Sequence, residues 1–215
     1  MLNKPLILST AYLPPLEYWA VIMQHSELVI EAHENYQKQS YRNRCRILGP
    51  NGVQDLNIPI AKSGDKKTPI VEVQIYDDDL WQKIHWKSIE TAYNSSPFFL
   101  YYADFFKDLY HRKQKGLFDF NKGIIESVME ILELDKKISF TESYIKDYHD
   151  AIDLRNAIHP KKNTKFQEQC KTTPYIQVFS ERHGFMPNLS ILDLIFNMGP
   201  EAEGYLSSFD TIHEG

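Results

Sequence analysis

Pro5-Leu-Ile-Leu-Ser-Thr-Ala-Tyr12 is a short, nearly uninterrupted apolar run, and Pro14-Pro15 stops it. A run of that length bounded by proline reads as a buried strand. Proline also suits the first turn of a helix, where its missing N–H costs nothing, so the pair opens a helix over Leu16–His25. Glu27–Ala32 (Glu-Leu-Val-Ile-Glu-Ala) then reads as a second strand. Strand, loop, helix, strand is the beginning of an α/β unit, and it excludes an all-helical or all-strand chain.

The rest of the chain divides unevenly between strands and helices. Cys45–Leu48 and Val53–Ile60 flank Gly49-Pro50-Asn51-Gly52, and Asn-Gly between apolar runs signals a hairpin. Lys62–Thr68 is a polar loop, and Pro69–Tyr76 alternates apolar and polar residues as a strand does. Asp77-Asp78-Asp79 supplies an N-cap and negative charge for a helix over Leu80–Asn94. Further helices are expected over Pro97–His111, Phe118–Leu134, Ile191–Asn197 and Glu201–Phe209, with a short strand at Lys137–Phe140. Thr141–Asn163 is polar and of open form, and Tyr175–Phe179 reads as a strand or a helical turn. The fold class expected is therefore α/β, with a strand-rich N-terminal third carrying a hairpin and a mostly helical C-terminal part. No repeat, low-complexity tract or linker divides residues 1–215, so one domain is expected.

Net charge is −5, which disfavours nucleic acid as a partner, since that binding rests on excess Lys and Arg. Cys45 and Cys170 are far apart and outside any CxxC, so neither a disulfide framework nor a cysteine zinc site is expected. His/Asp metal spacing is likewise absent, and no metal or cofactor is expected. Met1–Leu8 lacks a full apolar signal segment and a small-residue cleavage site, and no apolar run is long enough to span a membrane. A cytoplasmic location follows as the expectation. No GxSxG, P-loop or GxGxxG occurs, which argues against an α/β-hydrolase, a P-loop kinase and a dinucleotide-binding enzyme.

Several constellations carry possible chemistry. Lys38, Arg42, Arg44 and Arg46 crowd one segment of an acidic chain. Extended, the three arginines alternate onto one face, and guanidinium forks pair with phosphate or carboxylate. A solvated strand edge is the plain alternative. His85 lies four residues after Trp81, so Trp81, His85 and Ser88 share a helix face, and a His there suits a general base; a hydrogen-bonded core His is the alternative. Pro160 holds His159 extended, and Arg155, His159 and Lys161 offer a second half of an anionic site. Ser190, three residues before Asp193, reads as a capping box with Asp in place of Glu, although Asn188 and Asp193 can equally face a pocket.

Five ordered blocks resemble the WbqC-like family. They are Tyr12-Leu-Pro14-Pro15-Leu-Glu-Tyr18; Lys38-Gln-Ser-Tyr-Arg42-Asn43-Arg44; His85-Trp86 through Tyr93 with Ser96-Pro97-Phe98-Phe99-Leu-Tyr101-Tyr102; Asp153-Leu-Arg155-Asn-Ala-Ile-His159-Pro160-Lys161; and Tyr175-Ile-Gln177-Val-Phe179 with Gly184-Phe185-Met-Pro187-Asn188 through Gly199-Pro200. The resemblance implies an association with bacterial surface-polysaccharide (O-antigen) gene clusters and a transferase moving a small acyl or aminoacyl group to a sugar amine. It brings no settled catalytic set. On these blocks His85 and Asp193 are the expected catalytic residues. Tyr12, Tyr18, Lys38, Arg42, Asn43, Arg44, Tyr93, Arg155, His159, Lys161 and Asn188 are the expected contacts of a small anionic or sugar ligand. A non-catalytic module binding a nucleotide, sugar or protein partner is the alternative. The order of the first elements also resembles the three-layer nucleotidyltransferases that carry a His-x-Gly-His loop. Tyr18 falls near the second His of that loop and no His lies in Tyr12–Trp19, so on that fold adenylyl transfer is altered or lost.

Overall fold

A computed structural model describes residues 4–61, 67–78, 80–162 and 173–209, with isolated positions 165, 168 and 171. Cys170, Asp79 and most of the 62–68 loop lie outside the described residues. The opening unit forms as its pattern dictates: strand β1 (Leu6–Ser9), helix α1 (Leu16–Gln24) and strand β2 (Glu27–Glu31). β1 and β2 pair in parallel, Leu6 opposite Leu28 and Ser9 opposite Glu31. The hairpin follows as β3 (Arg44–Gly49) and β4 (Gly52–Asn57), antiparallel, with Gly49 opposite Gly52. Gly52 sits at φ 107°, a backbone conformation that few residues besides glycine adopt, which is why this turn ends where it does.

Helices α2 (Leu80–Tyr93), α3 (Phe99–His111) and α4 (Leu117–Ile131) come next. Asp78 caps the first of them, its carboxylate accepting from the Leu80 N–H at 2.9 Å. β5 (Lys137–Phe140) then pairs in parallel with β2, and β6 (Ile152–Asp153) pairs in parallel with β1. The sheet order is β5-β2-β1-β6. From β1 the chain moves outward on one side to β2 and β5, then returns to the other side for β6. The strand order therefore reverses between β1 and β6. Short helices α5 (Ser180–His183), α6 (Ile191–Met198) and α7 (Ala202–Ser207) close the chain.

Pro69–Tyr76 does not form the expected strand. Ile70–Glu72 is a single 3-10 turn, and its neighbours make isolated bridges to three different partners: Pro69 to Asn35, Ile75 to Ile60 and Gln74 to Gly116. Alternating burial arises here from successive dockings rather than from one ladder. Tyr175–Phe179 is irregular. One apolar cluster runs from Leu6 to Phe209, and the C-terminal signature is packed into it: every residue from Ile191 to Phe196 is buried.

That signature also fastens the loop after β1. Leu16 N–H donates to the Leu189 carbonyl and Ile191 N–H to the Pro14 carbonyl, while Ser190 N–H reaches Arg46 of β3. Pro15, preceding α1, has no side chain able to cap it. The cap comes instead from Asn188, whose Oδ1 accepts from the Glu17 N–H at 3.0 Å. Gly199 adopts φ 55°, and a Cβ there would stand 2.5 Å from the Phe98 ring, so this glycine serves close packing.

Candidate functional site

Open parallel sheets bind ligands beyond the carboxyl ends of their strands, where the strand order reverses. Here that place lies after β1 and β6, between the Thr10–Pro15 loop and the Leu154–Lys162 segment. The segment between β2 and β3 joins them: Tyr12 N–H donates to the Tyr41 carbonyl, Lys161 Nζ to Gln39 Oε1 at 2.6 Å and Gln37 Nε2 to Asn156 Oδ1 at 3.1 Å. Leu13 at φ 41° and Gln39 at φ 60° are both held in left-handed backbone conformations on these converging loops.

Buried ion pairs floor the site. Glu31, at the end of β2, is fully buried; its Oε2 accepts from Arg155 Nη1 at 2.9 Å and its Oε1 from Thr141 Oγ1 at 2.7 Å. Arg155 also grips Asp153, donates to the Ile145 and Lys146 carbonyls, and lies against the rings of Tyr144 and Tyr148. Every face of that guanidinium is occupied. Arg42 is likewise committed, in a two-pronged pair with Glu34, both buried. Burial pushes the Glu34 carboxyl up, and the Arg42 guanidinium draws it only part of the way back, so it stays above the usual carboxylate range. Arg46 pairs with exposed Asp55 and donates to the Pro160 carbonyl.

Arg44 differs. It forms no ion pair among the described residues, and its Nε is buried without a hydrogen-bond partner. His159 lies close enough to Lys162, Arg42, Lys161 and Arg44 that, after burial, their charges hold its imidazole below the usual histidine range. His159 Nδ1 accepts from the Lys161 N–H at 3.2 Å, which leaves the proton of the neutral ring on Nε2. Among the described residues the Lys161 ammonium meets the neutral amide of Gln39 and no carboxylate, and Lys38 is exposed. Arg44, His159 and Lys161 thus gather cationic and hydrogen-bond-donating groups with no carboxylate of their own. Tyr18 lies beneath, its hydroxyl donating to the Ser9 carbonyl at 3.0 Å. Asn43 donates to Ile58 at 2.9 Å and fixes the start of β3.

The other expected residues lie elsewhere. His85 is 4% exposed, with Nδ1 2.9 Å from the Tyr12 hydroxyl, which also meets Tyr110. Burial lowers its pKa to about 4, partly offset by a hydrogen bond to the Asn57 backbone, so the ring is neutral near pH 7. Trp81 and Phe120 wall this cluster. Ser88, on the same helix face, instead accepts from Gln54 at 3.3 Å. Asp193 is 1% exposed and does not close a capping box. Ser190 Oγ caps α6 by accepting from Leu192 N–H at 3.4 Å, while the Asp193 carboxylate turns to Tyr175 at 2.6 Å and Gln177 at 2.8 Å. Burial raises the Asp193 pKa to about 6, with Tyr175, Gln177 and Tyr93 drawing it back down. His85 with Tyr12, Asp193 with Tyr93, and Asn188 at its cap are therefore parts of the interior framework. Arg42, Arg44, Arg155, His159 and Lys161 share the carboxyl-end region. Among the described residues no group of three or more His, Cys, Asp or Glu is arranged to hold a metal ion.

Of the partners that decide this division, Glu31 and Glu34 carried no recognisable motif, and Asp153 opened one of the family-like blocks without a role assigned to it. Alternation along Glu27–Glu31 puts Glu31 opposite the apolar Leu28 and Ile30, with no hint that it is buried.

A model of the WbqC-like protein family matches residues 10–162, and the chain belongs to that family. A relative in Mycobacterium tuberculosis (strain ATCC 25618 / H37Rv), named "Uncharacterized protein Rv1507c", is 26% identical over 227 residues, covering 95% of this chain and 98% of its own. No solved structure matches the chain. Among the described residues no helix is long and apolar enough to cross a membrane.

Proposed function

From membership in the WbqC-like family, we propose that this chain is a transferase of bacterial surface-polysaccharide or activated-sugar metabolism. On this reading it holds the phosphate of an activated donor at Arg44, His159 and Lys161 and moves a small acyl or aminoacyl group to a sugar amine. The observation that carries the reading is Arg44, a partly buried guanidinium without a carboxylate among the described residues, beside His159, whose Nδ1 already accepts from the Lys161 N–H and leaves Nε2 to donate. Such a set suits phosphate, which accepts several charge-assisted hydrogen bonds at once. Arg42 and Arg155 position the loops that present it. His85, the expected base, and its partner Tyr12 are both buried, so this scheme gives neither of them the substrate proton.

That burial favours a second reading, in which the same site binds a nucleotide or sugar phosphate without turnover. Thermal-shift titration with pyrophosphate and with nucleoside-diphosphate sugars tests the shared premise. Ligand at about a hundredfold over Kd should stabilise the protein by about 2.7 kcal/mol. The double variant Arg44→Ala, Lys161→Ala should lose that shift, and an unchanged shift would discard the site. Ligand stabilisation with no transfer to glucosamine-type acceptors would select the second reading.

A further inference from the structure

The turn between β2 and β3 touches the cations of the carboxyl-end site through a residue whose backbone is strained. Ser40 anchors this turn. It is 1% exposed, and its hydroxyl donates to the Gln37 carbonyl at 2.6 Å and accepts from the Arg42 N–H at 3.4 Å. Inside the turn Gln39 stands at φ 60°, in the left-handed region. Glycine, asparagine and aspartate take that conformation readily, whereas a glutamine there is strained. Such strain persists where the surroundings enforce it, and it gathers at ligand clamps and switches.

The side chain shows what the strain achieves. Gln39 is exposed, and its Oε1 accepts from Lys161 Nζ at 2.6 Å. Two residues earlier, Gln37 Nε2 donates to Asn156 Oδ1 at 3.1 Å. Together these contacts clasp the 37–39 turn to the 156–161 segment. Both are exposed and neither is an ion pair, so the clasp is weak enough to open. Among the described residues the Lys161 ammonium meets no carboxylate. The Gln39 carbonyl oxygen carries partial charge, whereas the oxygens of a phosphate share formal negative charge and make the stronger acceptors. A phosphate would therefore take Lys161 from Gln39.

We propose that the contact between Gln39 and Lys161 is autoinhibitory: in the free protein the Gln39 amide occupies the ammonium that an incoming phosphate takes, and binding expels the amide and lets the 37–39 turn relax. This inference rests on reading Arg44, His159 and Lys161 as a phosphate site, and it adds regulation to that site. Apparent affinity falls with the fraction of molecules in which the clasp is open. The clasp also sorts ligands. A neutral sugar offers Lys161 nothing better than the amide and leaves it in place, whereas an anion such as pyrophosphate displaces it.

Isothermal titration calorimetry with inorganic pyrophosphate tests this on the whole chain and on variants at position 39, which is exposed and outside the core. Gln39→Gly removes the amide and suits the left-handed backbone, so pyrophosphate should bind at least about threefold tighter than to the parent. In a Lys161→Ala background, which keeps Arg44, the same glycine substitution should change affinity by less than about twofold, because the ammonium it would release is gone. If Gln39 merely ties two loops together, Gln39→Gly should loosen the site and weaken binding. Weaker or unchanged binding by Gln39→Gly overturns the proposal, and so does an equal gain in the Lys161→Ala background. Pyrophosphate that binds neither the parent nor Gln39→Gly overturns the phosphate reading itself, so the two failures are told apart.

Discussion

Buried charge is handled in two ways in this molecule. At the carboxyl ends of the sheet, Glu31 and Glu34 are met by arginines, and Arg155 alone engages two carboxylates, two carbonyls and two aromatic rings. On α6, Asp193 is met by neutral donors, Tyr175 and Gln177, and forms no ion pair among the described residues. Opposite charge offsets desolvation directly, and neutral donors recover part of it; burial still holds Glu34 up despite Arg42, and it raises Asp193, which has no charged partner among the described residues, to about 6. Glu31 and Glu34 therefore depend on a partner's charge, whereas Asp193 would be relieved by losing its own.

Removing a guanidinium should have the largest effect. Arg155→Met leaves Glu31 buried and uncompensated and frees Asp153, with an expected loss of about 3–5 kcal/mol in urea unfolding. Pairing it with Glu31→Gln should recover much of that loss. If the double variant is no more stable than the single one, the two charges are not coupled and the contrast with Asp193 fails.

Asp193 should behave in the opposite sense. Its folded pKa lies above the unfolded value, so its contribution favours the fold at low pH and is lost as pH rises towards about 6. A displacement of roughly two units corresponds to about 3 kcal/mol. Asp193→Asn keeps an acceptor for Tyr175 and Gln177 without the charge. It should match the parent near pH 4 and exceed it by up to about 3 kcal/mol at pH 7. Parallel stability curves for the two proteins across that range would show that Asp193 does not titrate there.

How far the sequence reveals this contrast follows from the range of the interactions. The hairpin was legible because Asn51-Gly52 is a local signal, and Lys137–Phe140 because its residues suit a strand. Pro69–Tyr76 misled because alternation reports burial, not pairing. β6 has two residues, too few to show any period. At the candidate site the cations were visible as a cluster in Lys38–Arg46, but their counter-ions were not. Arg155 meets Glu31 across 124 positions, and Arg42 meets Glu34 through a turn that brings the chain back on itself. Charge counted along the chain treated Arg42 and Arg44 as equals, and only the fold separates them.

That separation gives the smallest expected change and the sharpest comparison. Arg42 and Arg44 are two residues apart, yet one is buried in a two-pronged pair and the other has no carboxylate among the described residues. Arg42→Ala should behave like Arg155→Met. Arg44→Ala removes no partner and relieves repulsion from Lys161 and its neighbours, so stability should move by no more than about 0.5 kcal/mol. The relief should also let the His159 imidazole rise towards its usual pKa, because Arg44 is one of the charges holding it down. Proton NMR titration of His159 in the two proteins reads this directly, and added salt should narrow the gap by screening. An Arg44→Ala protein as damaged as Arg42→Ala would mean that Arg44 holds the fold together, and the carboxyl-end site would lose one of the cations that, among the described residues, have no carboxylate partner.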